Sequence, residues 1–134
     1  MKHEVTIISD DIRMEVGNKV SLAGIYDQAI VFKSLPARLL KLAFYQRWLD
    51  FSNPERVVIV VRGSALNDQE LRFEVKPLSG RSAHPAPARI ILAFGPFDFL
   101  REGNLEFKTF LDDQREPIYS HQIAIRTDPH MKFE

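Results

Sequence analysis

The chain has 134 residues, and its 18 basic side chains balance 18 acidic ones, so no overall field attracts nucleic acid or an anionic membrane. Cysteine is absent, which excludes disulfides, thiolate metal sites and cysteine catalysis. The length predicts one domain over residues 1–134. No apolar stretch approaches the roughly 18 residues of a membrane span, so we expect a cytoplasmic protein that makes no membrane contact.

The first predicted element is a β-hairpin over Ile12–Tyr26, where two alternating apolar runs flank turn residues. A three-residue loop at Gly17–Lys19 best collects the apolar residues on one face, because opposite residues of an antiparallel pair share a face. The predicted pairs are Val16 with Val20, Met14 with Leu22 and Ile12 with Gly24. Arg13 and Glu15 then lie on the other face. Val5–Ser9 is either a separate strand or the start of the first hairpin strand.

The middle of the chain begins with a short apolar strand, Ala29–Phe32, and continues into the ambiguous segment Leu35–Phe51. Ser34 followed by Pro36 is typical of a helix start. Against a helix, apolar residues alternate with mostly polar ones through this segment, broken only at Gln46, and this favours a strand. The predicted core row is Leu40, Leu42, Phe44 and Trp48.

Three further strands and one long loop follow. Val57–Val61 is an unbroken aliphatic run that predicts a strand buried on both faces. Apolar and charged residues alternate over Leu71–Val75, which predicts a strand with one solvent-exposed face. Pro77–Pro87 lacks periodicity and predicts the long loop, and Arg89–Phe94 predicts a strand that ends at Gly95.

The last third predicts a second hairpin around a five-residue polar loop, Asp112–Glu116. The predicted pairs are Leu111 with Pro117, Thr109 with Tyr119, Phe107 with His121 and Leu105 with Ile123. Short strands without helical crossovers predict an all-β fold, an antiparallel β-sandwich of about eight strands, immunoglobulin-like or C2-like.

The motif D-x-I-R-x-E-x-G-x-K-x-S-L-x-G-x-Y over Asp10–Tyr26, with Leu-Pro at 35–36 and the C-terminal hairpin, resembles a small bacterial and phage family known only as a domain of unknown function. The resemblance implies a compact β-sandwich, a strand at Leu40–Trp48 and a bacterial or phage setting. It implies no catalytic residues. The chain departs from the pattern at Ala37–Leu40, which lengthens the stretch after the proline and leaves room for a helical turn.

The segment Lys33–Trp48 carries four basic residues, no acidic residue and three aromatic residues. Aromatic side chains beside positive ones are typical of single-stranded nucleic-acid sites, and Lys41, Tyr45 and Arg47 are the candidate binding residues. The competing interpretation is an ordinary strand, with Lys41, Tyr45 and Arg47 on its solvent-exposed face and Trp48 in the core.

Other candidate sites are weaker. Arg13 and Glu15 form either a functional polar cluster or an exposed ion pair. The four histidines lack the spacing of metal ligands, and His121 is expected to be a core histidine. The pair Ser82 and His84 is not in a nucleophile-elbow motif, which disfavours a hydrolase.

We therefore expect no catalytic residues, no metal and no cofactor. The expected function is that of a non-catalytic interaction or accessory module, whose partner is another protein or a second copy. Single-stranded nucleic-acid binding through Lys33–Trp48 is the alternative, and a hydrolase is the remaining one.

Overall fold

Strands account for almost all regular structure in the computed structural model, which describes residues 2–17, 19–51, 56–76, 78–79, 86–112 and 114–131. The strands are β1 (Lys2–Glu15), β2 (Lys19–Tyr26), β3 (Ala29–Phe32), β4 (Ala37–Leu39), β5 (Leu42–Phe51), β6 (Val57–Arg62), β7 (Leu71–Val75), β8 (Leu78–Ser79), β9 (Ala86–Phe94), β10 (Phe97–Phe99), β11 (Gly103–Leu111) and β12 (Tyr119–Thr127). A single 3₁₀ turn, Ser64–Leu66, lies among the described residues.

The described strands form two five-stranded sheets whose inner faces meet in one core. The first sheet has the order β2-β1-β5-β9-β8, and the second has the order β3-β12-β11-β6-β7. The short strands β4 and β10 pair with each other. Among the described residues, all strand pairs are antiparallel except that between β3 and β12, which is parallel. The all-β sandwich prediction is confirmed, with more short strands than the expected eight and this one parallel pair.

The core is built by alternate residues of strands from both sheets. Phe44 of β5 stacks on Phe107 of β11 with ring centroids 5.6 Å apart, which joins the two sheets at their centre. The prediction for Val57–Val61 is confirmed, because none of its five residues is more than 5% exposed. On the outer face of β6, Val58 pairs with Phe110 and Val60 pairs with Lys108, so longer neighbours flank these valines.

The C-terminal hairpin has the predicted register, with Thr109 opposite Tyr119 and Phe107 opposite His121. The predicted register of the N-terminal hairpin is wrong by two residues. Met14 pairs with Val20 and Glu15 with Lys19, so the turn starts at Val16. Because a shift of two preserves the face of every side chain, the predicted division into two faces is confirmed.

The ambiguous segments are resolved as strands. Leu35–Phe51 contains β4 and β5, and no helix begins at Pro36. Val5–Ser9 belongs to the same 14-residue strand as Ile12, namely β1, which begins at Lys2. The predicted loop Pro77–Pro87 is partly wrong, because β8 forms within it and β9 begins at Ala86; its residues 77 and 80–85 lie outside the described residues. The described part of the chain contains no helix of the length and apolarity needed to cross a bilayer.

Candidate interaction surface

The residues Lys41, Tyr45 and Arg47 lie on the outer face of the first sheet. Leu42, Phe44 and Trp48 belong to the buried core, so the odd-numbered positions of this stretch point away from it. The structure therefore brings the three predicted binding residues onto one face and turns Trp48 to the other.

Tyr45 offers little surface to a ligand although it is on the outer face. Its exposed fraction is 9%. It pairs directly with Ile7 of β1 on one side and with Ile91 of β9 on the other. A ring flanked in this way is a poor platform for stacking a base, because stacking needs an open face of the ring.

Three of the four basic residues of this segment are paired with carboxylates from elsewhere in the chain. The Lys41 ammonium donates to Asp11, and Arg47 Nη1 donates to Glu4 Oε2 at 2.7 Å. The hydrogen bond from Lys41, helped by one from Arg13, lowers the pKa of Asp11. Arg38, on β4, makes a two-pronged pair with a carboxylate of β10. Three of the four basic charges seen in the sequence are thus paired in the fold.

Trp48 takes part in a buried hydrogen-bond network that joins the two sheets. Its indole N–H donates to Gln46 Oε1 at 2.8 Å, and the Thr109 hydroxyl of the second sheet donates to the same oxygen at 3.0 Å. Gln46 Nε2 donates to Thr6 Oγ1 at 2.9 Å. Because the indole nitrogen can only donate, the orientation of the amide is determined. The inward Trp48 with an internal partner was expected; the central role of Gln46 was not, although its polar side chain at a core position was the signal.

Two histidines border this network. His3 Nε2 lies 2.7 Å from Thr6 Oγ1, and its ring stacks on Tyr119 with centroids 3.6 Å apart. His121 lies opposite Phe107, as predicted. Burial lowers the pKa of both histidines, and for His3 the charge of His121 adds to this. Both are therefore held towards the neutral form.

Among the described residues, no three His, Asp or Glu side chains form a group that could hold a metal ion. Ser82 and His84 lie outside the described residues. Each buried side-chain nitrogen and oxygen in the described part of the chain has a hydrogen-bond partner, so no orphaned polar group marks a reaction centre there.

The predicted polar cluster is an exposed set of hydrogen bonds. Arg13 forms an ion pair with Asp11, with Nε and Oδ2 3.3 Å apart, and the Arg13 side chain is 76% exposed. Glu15 accepts a hydrogen bond from Ser21 at 3.2 Å. Such exposed contacts contribute little to stability, and they give this side of the hairpin a polar surface.

The opposite side of the same hairpin is apolar. β1 pairs with β5 only as far as Ser9 but with β2 as far as Glu15, so the two strands continue past the sandwich as a two-stranded ribbon. Continuing the β1–β5 register places Leu40 beside Ile12, and the bond between Lys41 and Asp11 holds this alignment. We call the apolar face the ribbon patch; its members are Ile12, Met14, Val16, Val20, Leu22 and Leu40.

Much of the ribbon patch is open to solvent. Val16 is 93% exposed, Leu40 77% and Met14 55%. The prediction that Leu40 extends the core row is therefore wrong, because Leu40 precedes β5 and its neighbour Leu39 packs against the core instead. Sequence reasoning identified the apolar face of the hairpin, but it could not show that this face leaves the core.

The base of the ribbon is held by three residues of the N-terminal motif. Gly24 has φ +68°, and a Cβ at this position would lie 2.2 Å from Asp10 Oδ2. The Asp10 carboxylate occupies this space and accepts a hydrogen bond from the Tyr26 hydroxyl. Burial and this hydrogen bond raise the pKa of Tyr26. These three residues of the motif therefore contact one another at the base of the ribbon.

No protein-family model and no curated protein matches this sequence. The resemblance carried by Asp10–Tyr26 consequently stays a prediction, and the functional argument rests on the geometry of the chain itself.

Proposed function

We propose that the protein is a non-catalytic interaction module that binds another protein chain through the ribbon patch. The observation that carries the proposal is the exposure of Val16, Leu40 and Met14 on an element that extends beyond the core. A two-stranded ribbon is only marginally stable by itself in water, and contiguous exposed apolar surface is typical of interaction sites.

The nucleic-acid alternative has less support from the geometry. Lys41 and Arg47 are each bonded to a carboxylate, and the Tyr45 ring is largely covered. Binding a phosphate backbone there would require these ion pairs to be exchanged. The proposed setting is the cytoplasm of a bacterium or of a phage-infected cell, which rests on composition and on the resemblance of the N-terminal motif.

Site-specific photo-cross-linking in the native host tests the proposal. A benzophenone amino acid in place of Met14 should yield a covalent adduct with a protein, because this side chain is in the contact. The matched control carries the same group in place of Ala23, which is exposed on the polar face of the ribbon. Absence of adducts from position 14, or equal adducts from both positions, would contradict the proposal.

A further inference from the structure

We infer that a hollow on the outer face of the second sheet binds a phosphate monoester attached to a flat aromatic group. The hollow lies where β6 begins and β11 ends, and its volume is about 400 Å³, which is in the range of small-molecule sites. The ribbon patch extends from the first sheet, so this second site goes beyond the proposed function and is independent of it.

The floor of the hollow is apolar. Val58 of β6 and Phe110 of β11 both line it, and they lie directly opposite each other in the strand pair. Val58 is buried and Phe110 is half-buried, so the ring of Phe110 keeps some open surface. Because aromatic rings pack well against one another in offset or edge-on contacts, this floor favours a ligand with a flat aromatic group.

The walls of the hollow carry mainly positive charge. Arg56, Arg72 and Arg115 line it, and among the described residues the only carboxylate in the lining is that of Asp112. One oxygen of that carboxylate, Oδ1, accepts the backbone N–H of Arg56 at 3.0 Å. Since the planar fork of a guanidinium matches the oxygens of a phosphate group, three such side chains around one hollow indicate a phosphate ligand.

The backbone around the hollow is held in place by its own hydrogen bonds. The N–H of Asp112 donates to the carbonyl of Arg56 at 2.8 Å, which complements the side-chain bond in the other direction. The N–H of Gln114 donates to the carbonyl of Leu111 at 3.1 Å and closes a turn just before Arg115. A ligand therefore meets a preformed frame and has little backbone to order, which lowers the entropic cost of binding.

The existing ion pairs leave donors for a phosphate. Arg72 Nη1 lies 3.2 Å from Glu70 Oε1, and Arg56 Nε lies 3.4 Å from Glu74 Oε1. Each of these ion pairs occupies one nitrogen, whereas a guanidinium has five N–H donors, so Arg72 can bind a phosphate without releasing Glu70. Arg115 forms no ion pair in the described part of the chain. With both glutamates counted, the charges balance, so directed hydrogen bonds rather than a long-range field would hold the ligand.

Titration of the nitrogen-15-labelled protein with phenyl phosphate, followed by NMR, is the first test. The backbone amides of Arg56, Asp112 and Gln114 should shift together, with a dissociation constant on the order of 1 mM. Inorganic phosphate and phenol should each bind more weakly, because each lacks one of the two parts that the hollow contacts. Shifts centred on another surface, or inorganic phosphate binding as tightly as phenyl phosphate, would overturn the inference.

Two single substitutions test the role of the guanidinium groups. Arg115→Gln should weaken the binding of phenyl phosphate by about tenfold, as expected for a lost hydrogen bond between charged groups. Arg126→Gln is the matched control, because Arg126 is an exposed arginine of β12 that likewise forms no ion pair among the described residues and does not line the hollow. It should leave binding unchanged. Equal weakening by both substitutions would show unspecific charge attraction and overturn the site.

The same titration identifies the source of the ligand. A small molecule and a phosphorylated tyrosine side chain of another protein both carry an aromatic phosphate monoester. A glycine-flanked phosphotyrosine peptide that binds more tightly than phenyl phosphate would support the protein source, and one that binds more weakly would support a free small molecule. If neither compound shifts the amides around the hollow, the inference is wrong and the ribbon patch is unaffected.

Discussion

The amide of Gln46 connects the two sheets, and replacing it by leucine tests how much that connection contributes. Gln46→Leu keeps the approximate volume of the side chain but removes the acceptor of the Trp48 indole and the Thr109 hydroxyl, and the donor to Thr6. The Thr109 side chain is fully buried, so its hydroxyl cannot turn to water.

The magnitude follows from the number of bonds lost. A net hydrogen bond contributes about 1 kcal/mol, and a buried polar group left without a partner costs about 1–3 kcal/mol. Partial compensation comes from the added apolar contact of leucine. We therefore expect Gln46→Leu to lower the free energy of unfolding by about 3 kcal/mol, which a domain of ordinary stability survives.

A double-mutant cycle makes the prediction specific. Thr109→Val alone should cost about 1 kcal/mol, but in the Gln46→Leu background it should cost nothing or stabilise, because valine removes a hydroxyl that has lost its acceptor. The assay is urea unfolding followed by the fluorescence of Trp48. Gln122→Leu is the control, since Gln122 is an exposed glutamine bonded to Glu106, and it should change stability by less than about 0.5 kcal/mol. An additive cycle, or a loss below about 1 kcal/mol for Gln46→Leu, would refute the network as described.

Three more predictions concern the ribbon base, the histidines and the tryptophan. Gly24→Ala should lower the free energy of unfolding by about 2 kcal/mol in urea unfolding. Gly17 has a similar φ but open space around it, so Gly17→Ala should lower it by about 1 kcal/mol. Equal losses would rule out the close contact at Gly24. Because folding lowers the pKa of His3 and His121, the unfolded chain binds more protons, and stability should fall as the pH decreases below about 6.5. His121→Gln should reduce this loss of stability between pH 7.5 and 5.5, about the window of histidine titration. A wild-type urea midpoint that does not change over this range would contradict the prediction. Trp48, 2% exposed, should emit well to the blue of free tryptophan and resist iodide quenching; red-shifted emission would contradict its burial.

The two hairpins show how far alternation along the sequence can predict register. In the C-terminal hairpin, Phe107 and Leu105 are buried, so a slip would expose them, and the predicted pairs are those observed. In the N-terminal hairpin the apolar residues near the tip stay exposed, so pairing Val16 with Val20 gains no burial. The turn there follows backbone geometry, with Gly17 at φ +86°, and the register differs from the one that apolar pairing favoured.

The candidate nucleic-acid site shows what composition along a segment leaves out. Lys33–Trp48 contains no acidic residue, yet Asp11 lies beside Lys41 and Asp98 beside Arg38 in the fold. These carboxylates are 30 and 60 residues away in the chain. A local count of charge cannot detect a partner that only strand pairing brings near.

The sequence by itself determined the period-two pattern, and with it the longer strands, the division of the hairpins into two faces and the inward position of Trp48, because alternation is a local property of the chain. Tertiary structure alone decided which apolar positions are covered. Phe44 and Gln46 are buried, whereas Met14, Val16 and Leu40 are exposed to solvent, because burial depends on which residues of distant sequence pack against each position.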